Sequence, residues 1–224
     1  MYIPPVFRTD EASAWDYVAG RGFGTVVAID HGAPIATHVP LLATADAQTR
    51  KLSFHVARAN PLGRALAVSP RVLVIVAGPD GYISPDWYES PNQVPTWNYM
   101  SVHLTGSAGI LPAKAALDHV DALSARFEAR LAPKRPWTTA KMAPSQRDRL
   151  LAAITPVEVT VETIEAQWKL SQNKTAGDQA NLIRMLEWQG GWSSLALAEM
   201  MRARVRRVQP VPADPATVSP SIGR

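Results

Sequence analysis

The chain has 224 residues, 46% of them hydrophobic, which is enough for one sizeable domain with an appendage and argues against wholesale disorder. The absence of cysteine excludes disulfides, thiolate metal sites and cysteine nucleophiles, and a net charge of +4 is too small to indicate nucleic-acid binding by itself. No leader pattern opens the sequence and no apolar run is long enough to span a membrane, so we expect a cytoplasmic protein.

The first quarter of the chain predicts a helix followed by a hairpin. Either Thr9 or Asp10 can cap a short helix that runs through Ala19, with Gly20 as its left-handed stop. Strands Thr25–Ile29 and Pro34–Leu42 would then pair across a short turn. A loop is expected at 43–50.

The stretch Leu52–Leu66 changes from a strand pattern to a helix pattern. Alternation in its first half places Phe54 on one face of a strand and His55 and Ala57 on the other. Asn60-Pro61 then predicts a helix start, because asparagine is a preferred N-cap and proline fits the first helical position.

Arg58 and Arg64 flank this helix start. Two guanidinium groups, free backbone N–H groups and the positive end of a helix dipole would converge there, and these are the donors of a phosphate site. The junction therefore predicts a bound phosphorylated ligand. The same spacing also fits a solvated turn in which Arg58 and Asn60 only cap the helix.

In the middle of the chain, predicted strands alternate with a turn and a loop. The apolar run Arg71–Ala77 predicts a strand buried on both faces, and Gly78-Pro79-Asp80-Gly81 predicts a turn. An aromatic-rich loop, Tyr82–Asn98, leads into a long strand over Thr96–Ile110. A helix from Pro112 to about Leu131 follows, with its apolar residues at helical spacing.

The last third predicts a short helix, a long strand and two further helices. The short helix covers Ser145–Ile154 with Leu150 and Leu151 facing inward. Helices at 177–189 and from Ser193 to Val208 flank a glycine pair. We divide the chain into a β-barrel domain at 1–175, a helical pair at 176–208 and a linker-like tail at 209–224.

The helical pair has the outline of a helix-turn-helix, with four arginines late in its second helix, which keeps DNA open as a partner. The first residues of that helix, where bases are usually read, are small: Ser193, Ser194 and Ala196. Leucines and methionines also make the helix a packing element, and basic residues at a helix C-terminus compensate its dipole.

Seven motifs occur in the same order as in a known family. They are Met1-Tyr2-Ile3-Pro4, Gly24-Thr25, Ala36-Thr37-His38-Val39-Pro40, His55-Val56-Ala57-Arg58-Ala59-Asn60-Pro61, Tyr82-Ile83-Ser84-Pro85-Asp86-Trp87-Tyr88, Val94-Pro95-Thr96-Trp97-Asn98-Tyr99 and Lys169-Leu170-Ser171-Gln172-Asn173. Together they resemble the PaiB family, described as FMN-binding negative transcriptional regulators. The resemblance implies a split β-barrel like that of pyridoxamine-phosphate oxidases, mainly β with appended C-terminal helices. It also implies a homodimer with FMN near the subunit interface.

FMN requires donors for its phosphate, polar side chains for its ribityl chain and an apolar slot with edge donors for its ring. We expect the strand-to-helix junction to form one wall and two distant stretches, Thr96–Asn98 and Lys169–Asn173, to form the others. The candidate cofactor-binding residues are His55, Ala57, Arg58, Asn60, Arg64, Thr96, Trp97, Asn98, Lys169, Gln172 and Asn173. Trp97 equally fits a core or interface anchor, and Lys169–Asn173 equally fits a solvated turn.

Histidines give no independent signal for a metal. His38, His55 and His103 all fall on predicted strands, but their spacing does not require a metal ion, and we assign no metal site.

Two functions follow from the resemblance and the residues. The first is an FMN-binding transcriptional regulator or flavin-dependent sensor that acts as a homodimer. The second is a flavin-dependent oxidoreductase acting on a small substrate. The sequence offers no obvious general base beyond His38, His55 and Tyr99, and flavin hydride chemistry needs none, so catalysis stays open.

Overall fold

The structure, a computed structural model, describes residues 1–208. Helices and strands follow one another along these residues as α1 (Glu11–Arg21), β1 (Phe23–Asp30), β2 (Ala33–Pro40), β3 (Leu42–Ala45), β4 (Arg50–Ala57), α2 (Pro61–Val68), β5 (Arg71–Ile83), β6 (Thr96–Ile110), α3 (Ala116–Glu128), α4 (Pro144–Ala152), β7 (Ile154–Lys169), α5 (Ala176–Gln189) and α6 (Trp192–Val208). The predicted tail at 209–224 lies outside the described residues. None of the described helices is long and apolar enough to cross a membrane.

The strands form one sheet in the order β2-β1-β5-β6-β7-β4-β3. Antiparallel pairing joins β1 to β2 and β5, and joins β4 to β3 and β7. Alternate residues of the strands are buried on one side, including Phe54 on β4, Val74 on β5 and Val102 on β6. This two-residue period is the one that the sequence shows.

Helix starts follow the predicted caps. The Asp10 carboxylate accepts a hydrogen bond from the Ser13 N–H at 2.8 Å at the start of α1, and Asn60 caps α2. The predicted end of α1 at Gly20 is wrong. The helix continues to Arg21, and Gly22 is the residue with left-handed backbone (φ 62°), its N–H bonded to the Val18 carbonyl.

Two connections predicted as irregular are strands. Part of the expected loop at 43–50 is β3, which pairs with the first half of β4. The turn expected at Gly78-Pro79-Asp80-Gly81 is absent, because β5 continues to Ile83. Gly78 serves close packing there, since a Cβ atom would lie 2.6 Å from the Tyr17 hydroxyl oxygen and 2.7 Å from Met100 Cβ.

The described chain divides into two compact units. Unit 1 comprises Met1–Gly78 and Met100–Trp168, and unit 2 comprises Pro79–Tyr99 and the chain from Lys169 onward. This division differs from the expected boundary at residue 175, because the aromatic-rich segment before β6 belongs with α5 and α6. The Asp178 carboxylate shows why, since it accepts hydrogen bonds from the backbone N–H groups of Glu89 and Ser90.

Candidate functional site

The junction of β4 and α2 is closed by its own hydrogen bonds. Pro61 has no N–H, the Leu62 N–H donates to Asn60 Oδ1 at 2.9 Å, and the Gly63 N–H donates to the Asn60 carbonyl at 3.2 Å. The Thr37 hydroxyl reaches the same Asn60 Oδ1 at 3.4 Å. The prediction of free backbone N–H groups here is therefore wrong, because the cap already uses them.

Hydrogen bonds hold the backbone N–H and Nε of Arg58, while the two terminal nitrogens of its guanidinium group are open. Its backbone N–H donates to the Ala153 carbonyl and its Nε to the Ala152 carbonyl, each at 2.8 Å. Within residues 1–208 its two terminal nitrogens make no hydrogen bond or ion pair. The side chain is thus an oriented, exposed cation with two donors available.

Arg64, by contrast, is already paired. Its Nη2 lies 2.7 Å from Asp30 Oδ2 at the end of β1, and this hydrogen bond holds the pKa of the Asp30 carboxyl below its usual value. A carboxylate at this distance competes with any bound anion. Arg64 is therefore less available to an anion than Arg58, although the sequence places both beside the helix start.

His55 contacts a histidine that sequence reasoning missed. Its Nδ1 lies 3.1 Å from Nε2 of His119 on α3, with the rings edge to face. His119 is buried, and its Nδ1 has no hydrogen-bond partner among the described residues. Burial lowers the pKa of both rings, that of His119 to about 4 with a further contribution from His55, so both are neutral at pH 7.

A cavity of about 490 Å³ opens beside this pair in unit 1. Its lining is mostly apolar and comprises His55, Ala57, Val120, Trp137, Thr139, Met142, Arg147, Leu150, Leu151, Ala153 and Ile154. Two predicted site residues, His55 and Ala57, thus face a real concavity. Leu150 was expected to face inward, but it is 48% exposed because it lies at the mouth of this cavity.

The other two predicted stretches meet within unit 2. Lys169 Nζ donates to the Thr96 hydroxyl, and the Asn98 amide donates to Ser171 Oγ at 2.8 Å. Asn98 is fully buried, and partial burial lowers the pKa of Lys169, with a smaller effect from the Lys174 charge. These hydrogen bonds join the start of β6 to the end of β7, so the two predicted stretches contact each other within unit 2.

The remaining predicted residues of unit 2 have different surroundings. Trp97 is 54% exposed and lies edge to face against Tyr82. The Gln172 side-chain oxygen accepts a hydrogen bond from the Leu170 N–H at 2.7 Å, which stabilises the turn, and Asn173 is exposed. The candidate set is thus split: His55, Ala57, Arg58, Asn60 and Arg64 lie in unit 1 and the other six in unit 2.

Histidines do not converge on a metal. His38 Nδ1 lies 2.8 Å from the Thr25 hydroxyl, and His55 pairs with His119. Over residues 1–208, no group of three or more histidine, aspartate or glutamate side chains is placed to hold a metal ion.

Sequence reasoning overlooked His119, which contacts the predicted site residue His55, and Asp178, which holds the Glu89–Ser90 segment. His119 falls on the apolar stripe of α3, where the pattern predicts a core residue, and a histidine in such a stripe was the available signal. Asp178 follows Thr175, an N-cap, and looks like an ordinary first-turn carboxylate of α5.

Protonation of the Asp178 carboxylate at low pH should release the segment around residue 90 from α5. Hydrogen bonds from the Ser90 N–H and hydroxyl, then from Thr175 and Glu89, lower the Asp178 pKa to about 2. A lowered folded-state pKa contributes stability above the unfolded value of about 4, and this is lost as the pH falls towards 2. Asp178→Asn should therefore be less stable at pH 7 and lose less stability between pH 4 and pH 2.

Hydrogen exchange of the Glu89 and Ser90 amides measures this effect locally. Both amides should exchange faster in Asp178→Asn at pH 7 than in the wild type. Glu199→Gln, which neutralises an exposed carboxylate of the same unit, is the matched control and should leave both rates unchanged. Equal rates in Asp178→Asn and the wild type would contradict the assignment.

Comparison with known proteins places these observations in a family. Residues 1–163 match the family model described as "Putative FMN-binding domain". The chain is 34% identical over 208 residues to "Protease synthase and sporulation protein PAI 2" of Bacillus subtilis, an alignment that covers 92% of this chain and 99% of the relative.

Solved structures share the fold. The FAD and heme binding protein of Mycobacterium smegmatis has a TM-score of 0.54 at 21% identity, covering 83% of this chain and 80% of that chain. The flavocytochrome Anf3 of Azotobacter vinelandii has a TM-score of 0.52 at 16% identity, covering 78% and 75%. The predicted fold class, a split β-barrel of the pyridoxamine-phosphate-oxidase-like kind with helices, is confirmed.

Proposed function

The chain belongs to the PaiB family of FMN-binding proteins, and on this premise we propose that it is a flavin-dependent transcriptional regulator or sensor that acts as a homodimer. FMN is its cofactor. The length of the match to the Bacillus relative carries the proposal. An alignment over 92% of the chain extends well beyond the FMN-binding residues 1–163 into α5 and α6, so the two proteins share the helical segment as well. The relative's name ties it to protease synthesis and sporulation.

The donors at the β4–α2 junction fit the phosphate of FMN. Arg58 offers two terminal nitrogens, and the Asn60 Nδ2 group has no hydrogen-bond partner in the described part of the chain, while Asn60 Oδ1 is held by the cap. A guanidinium and an amide fixed on the end of a strand form an oriented pair of donors for a dianion. When bound, FMN supplies one- or two-electron redox chemistry.

Because the donors at the β4–α2 junction are open to solvent, water competes with the phosphate group of FMN for them. Arg58 is exposed, so each hydrogen bond to the phosphate is weakened by competing water and salt. A second subunit placed over this end would strengthen the same bonds by excluding water. This is the physical reason for including a homodimer in the proposal.

If the regulator acts by binding DNA, the contact would use the C-terminal end of α6. The Ser193 hydroxyl donates to the Asp80 carbonyl at 2.6 Å and Ser194 is buried, so the first turn of α6 anchors the helix. Arg202 is paired with Glu187. Arg204 and Arg206 carry no ion pair among the described residues, which leaves them as the cations available to phosphates.

A promoter-binding titration at several salt concentrations separates regulator from enzyme. The double variant Arg204→Ala/Arg206→Ala should reduce the slope of log K against log salt by up to about 2, because each lost phosphate contact removes about 0.9. Arg71→Ala/Arg149→Ala removes the same charge from unit 1 and should leave the slope unchanged. Absence of promoter binding, together with repeated turnover of NAD(P)H by the FMN-loaded protein, would overturn the regulator in favour of the oxidoreductase.

A further inference from the structure

Unit 2 contains a groove of about 380 Å³ between α5 and the last turns of α6. Ala176, Ala180 and Ile183 line it from α5, and because they lie four and three residues apart they share one face of that helix. Val205 lines it from α6. Seven residues of α-helix rise about 10 Å, so the groove has an apolar floor of about that length. Its volume is within the usual range for small-molecule sites.

The charged side chains that line this groove are all cationic in the part of the chain that the structure describes. They are Arg202, Arg204 and Arg206. Arg202 is paired with Glu187, which does not line the groove. Arg204 and Arg206 make no ion pair within residues 1–208. These two arginines give the groove a positive potential that attracts anions.

The carboxylates near the start of α5 lie outside the groove lining. Asp178, in the first turn of α5, is buried and accepts hydrogen bonds from the Glu89 and Ser90 N–H groups. The Glu89 carboxylate lies beside Gly177, where its Oε2 would be 2.6 Å from an added Cβ atom. Neither carboxylate lines the groove. An anion bound at the two arginines therefore meets no negative side chain of the lining.

An apolar floor with cations beside it matches a ligand that has one anionic group and an apolar body. A free phosphate or sulfate would leave the floor exposed to water, and a nucleic-acid backbone has no apolar chain to cover it. An uncharged apolar compound would forgo the charge-assisted hydrogen bonds of the arginines. An alkyl carboxylate uses both parts at once, and its chain can extend along a floor of about 10 Å.

We propose that this groove binds a medium-chain alkyl carboxylate, whose carboxylate accepts hydrogen bonds from Arg204 and Arg206. The chain lies on Ala176, Ala180 and Ile183, where it is removed from water. The same two arginines are the cations that the proposed regulator offers to DNA phosphates, so the bound carboxylate competes with DNA. This competition rests on the proposed function, whereas binding of the carboxylate does not.

Isothermal titration calorimetry of the FMN-saturated full chain compares octanoate, butyrate and 1-octanol. Octanoate should bind, whereas butyrate, with a shorter chain, and 1-octanol, without a charge, should each bind at least tenfold more weakly. No saturable binding of octanoate, or equal affinity for octanoate and 1-octanol, would overturn the proposal. FMN is kept bound because Gln172, a predicted cofactor residue, also lines the groove. Release of FMN by octanoate, seen as a rise in flavin fluorescence, would also overturn it.

Removal of the two arginine charges tests where the carboxylate binds. Arg204→Gln/Arg206→Gln should weaken octanoate at least tenfold and leave the weak binding of 1-octanol little changed. Arg71→Gln/Arg149→Gln removes the same charge from unit 1 and should change neither affinity. If Arg204→Gln/Arg206→Gln keeps the octanoate affinity of the wild type, the proposed site is wrong.

A charge placed on the floor tests where the chain binds. Ala180→Glu introduces a carboxylate at an exposed position of α5 and should weaken octanoate at least tenfold by repulsion. Gln189→Glu adds the same charge to an exposed position of α5 that does not line the groove, and it should leave octanoate binding unchanged. Equal octanoate binding by Ala180→Glu and the wild type would place the ligand elsewhere and overturn the proposal.

Competition with promoter DNA tests the step that rests on the proposed function. At constant ionic strength, saturating octanoate should raise the Kd for promoter DNA at least tenfold, and an equal concentration of acetate should not. Unchanged DNA affinity in saturating octanoate would overturn the competition. If the chain binds octanoate but binds no promoter DNA even without it, the regulator is overturned and the carboxylate site stands, so the two failures are distinguishable.

Discussion

Replacing Gly106 with alanine is expected to destabilise the protein by about 3 kcal/mol or more. Gly106 is buried in the middle of β6, and a Cβ atom there would lie 2.1 Å from the Thr160 carbonyl oxygen on β7. The clash is with backbone, so no side-chain rotation can relieve it. Relief requires β6 and β7, neighbours in the sheet, to move apart and lengthen their hydrogen bonds.

Gly109, three residues further along β6, is the matched control. No atom lies within 4 Å of a Cβ atom placed there, and alanine lowers the entropy of the unfolded chain relative to glycine, so Gly109→Ala should be neutral or slightly stabilising. Chemical unfolding followed by circular dichroism compares the two variants. If Gly106→Ala and the wild type unfold at the same denaturant concentration, β6 and β7 do not approach each other closely at Gly106.

Replacing Arg58 with alanine should weaken FMN binding about 100-fold. Two charge-assisted hydrogen bonds to the phosphate contribute about 1.5 kcal/mol each at the lower end of their range, and their sum corresponds to two orders of magnitude. Quenching of flavin fluorescence on titration with protein measures the affinity, and the absorbance spectrum shows whether the purified variant retains flavin.

Alanine variants of two other arginines serve as comparisons for the FMN affinity of Arg58→Ala. Arg64→Ala should have a smaller effect than Arg58→Ala, because Arg64 is already paired with Asp30. Arg71→Ala removes an exposed arginine whose partner is Glu162 and should leave FMN affinity unchanged. Circular dichroism establishes that Arg58→Ala is folded, since its Nε also holds the Ala152 carbonyl. Wild-type FMN affinity in Arg58→Ala would remove this residue from the phosphate site.

Elements with a clear local period were predictable. The bounds Thr96–Ile110 of β6 and the Asn60 cap of α2 agree with the structure because alternation and capping depend on residues a few positions apart. Gly78 was predicted wrongly because its role depends on residues that lie far away in the chain. Gly78 was expected in a turn, but it is required by Tyr17 and Met100, whose approach no local pattern reveals.

For the candidate site, the sequence by itself determined which residue types stand at the β4–α2 junction, and the ordered motifs indicated the FMN-binding family. Only the tertiary structure decided which of those groups are free to bind. Asp30 neutralises Arg64 and the helix cap consumes the N–H groups, while Arg58 keeps its terminal nitrogens. The His119 ring, 64 positions from His55 along the chain, lies within hydrogen-bond distance of the His55 ring. A hydrogen bond between residues so far apart is set by how helices and strands pack, and the local period of the sequence carries no record of it.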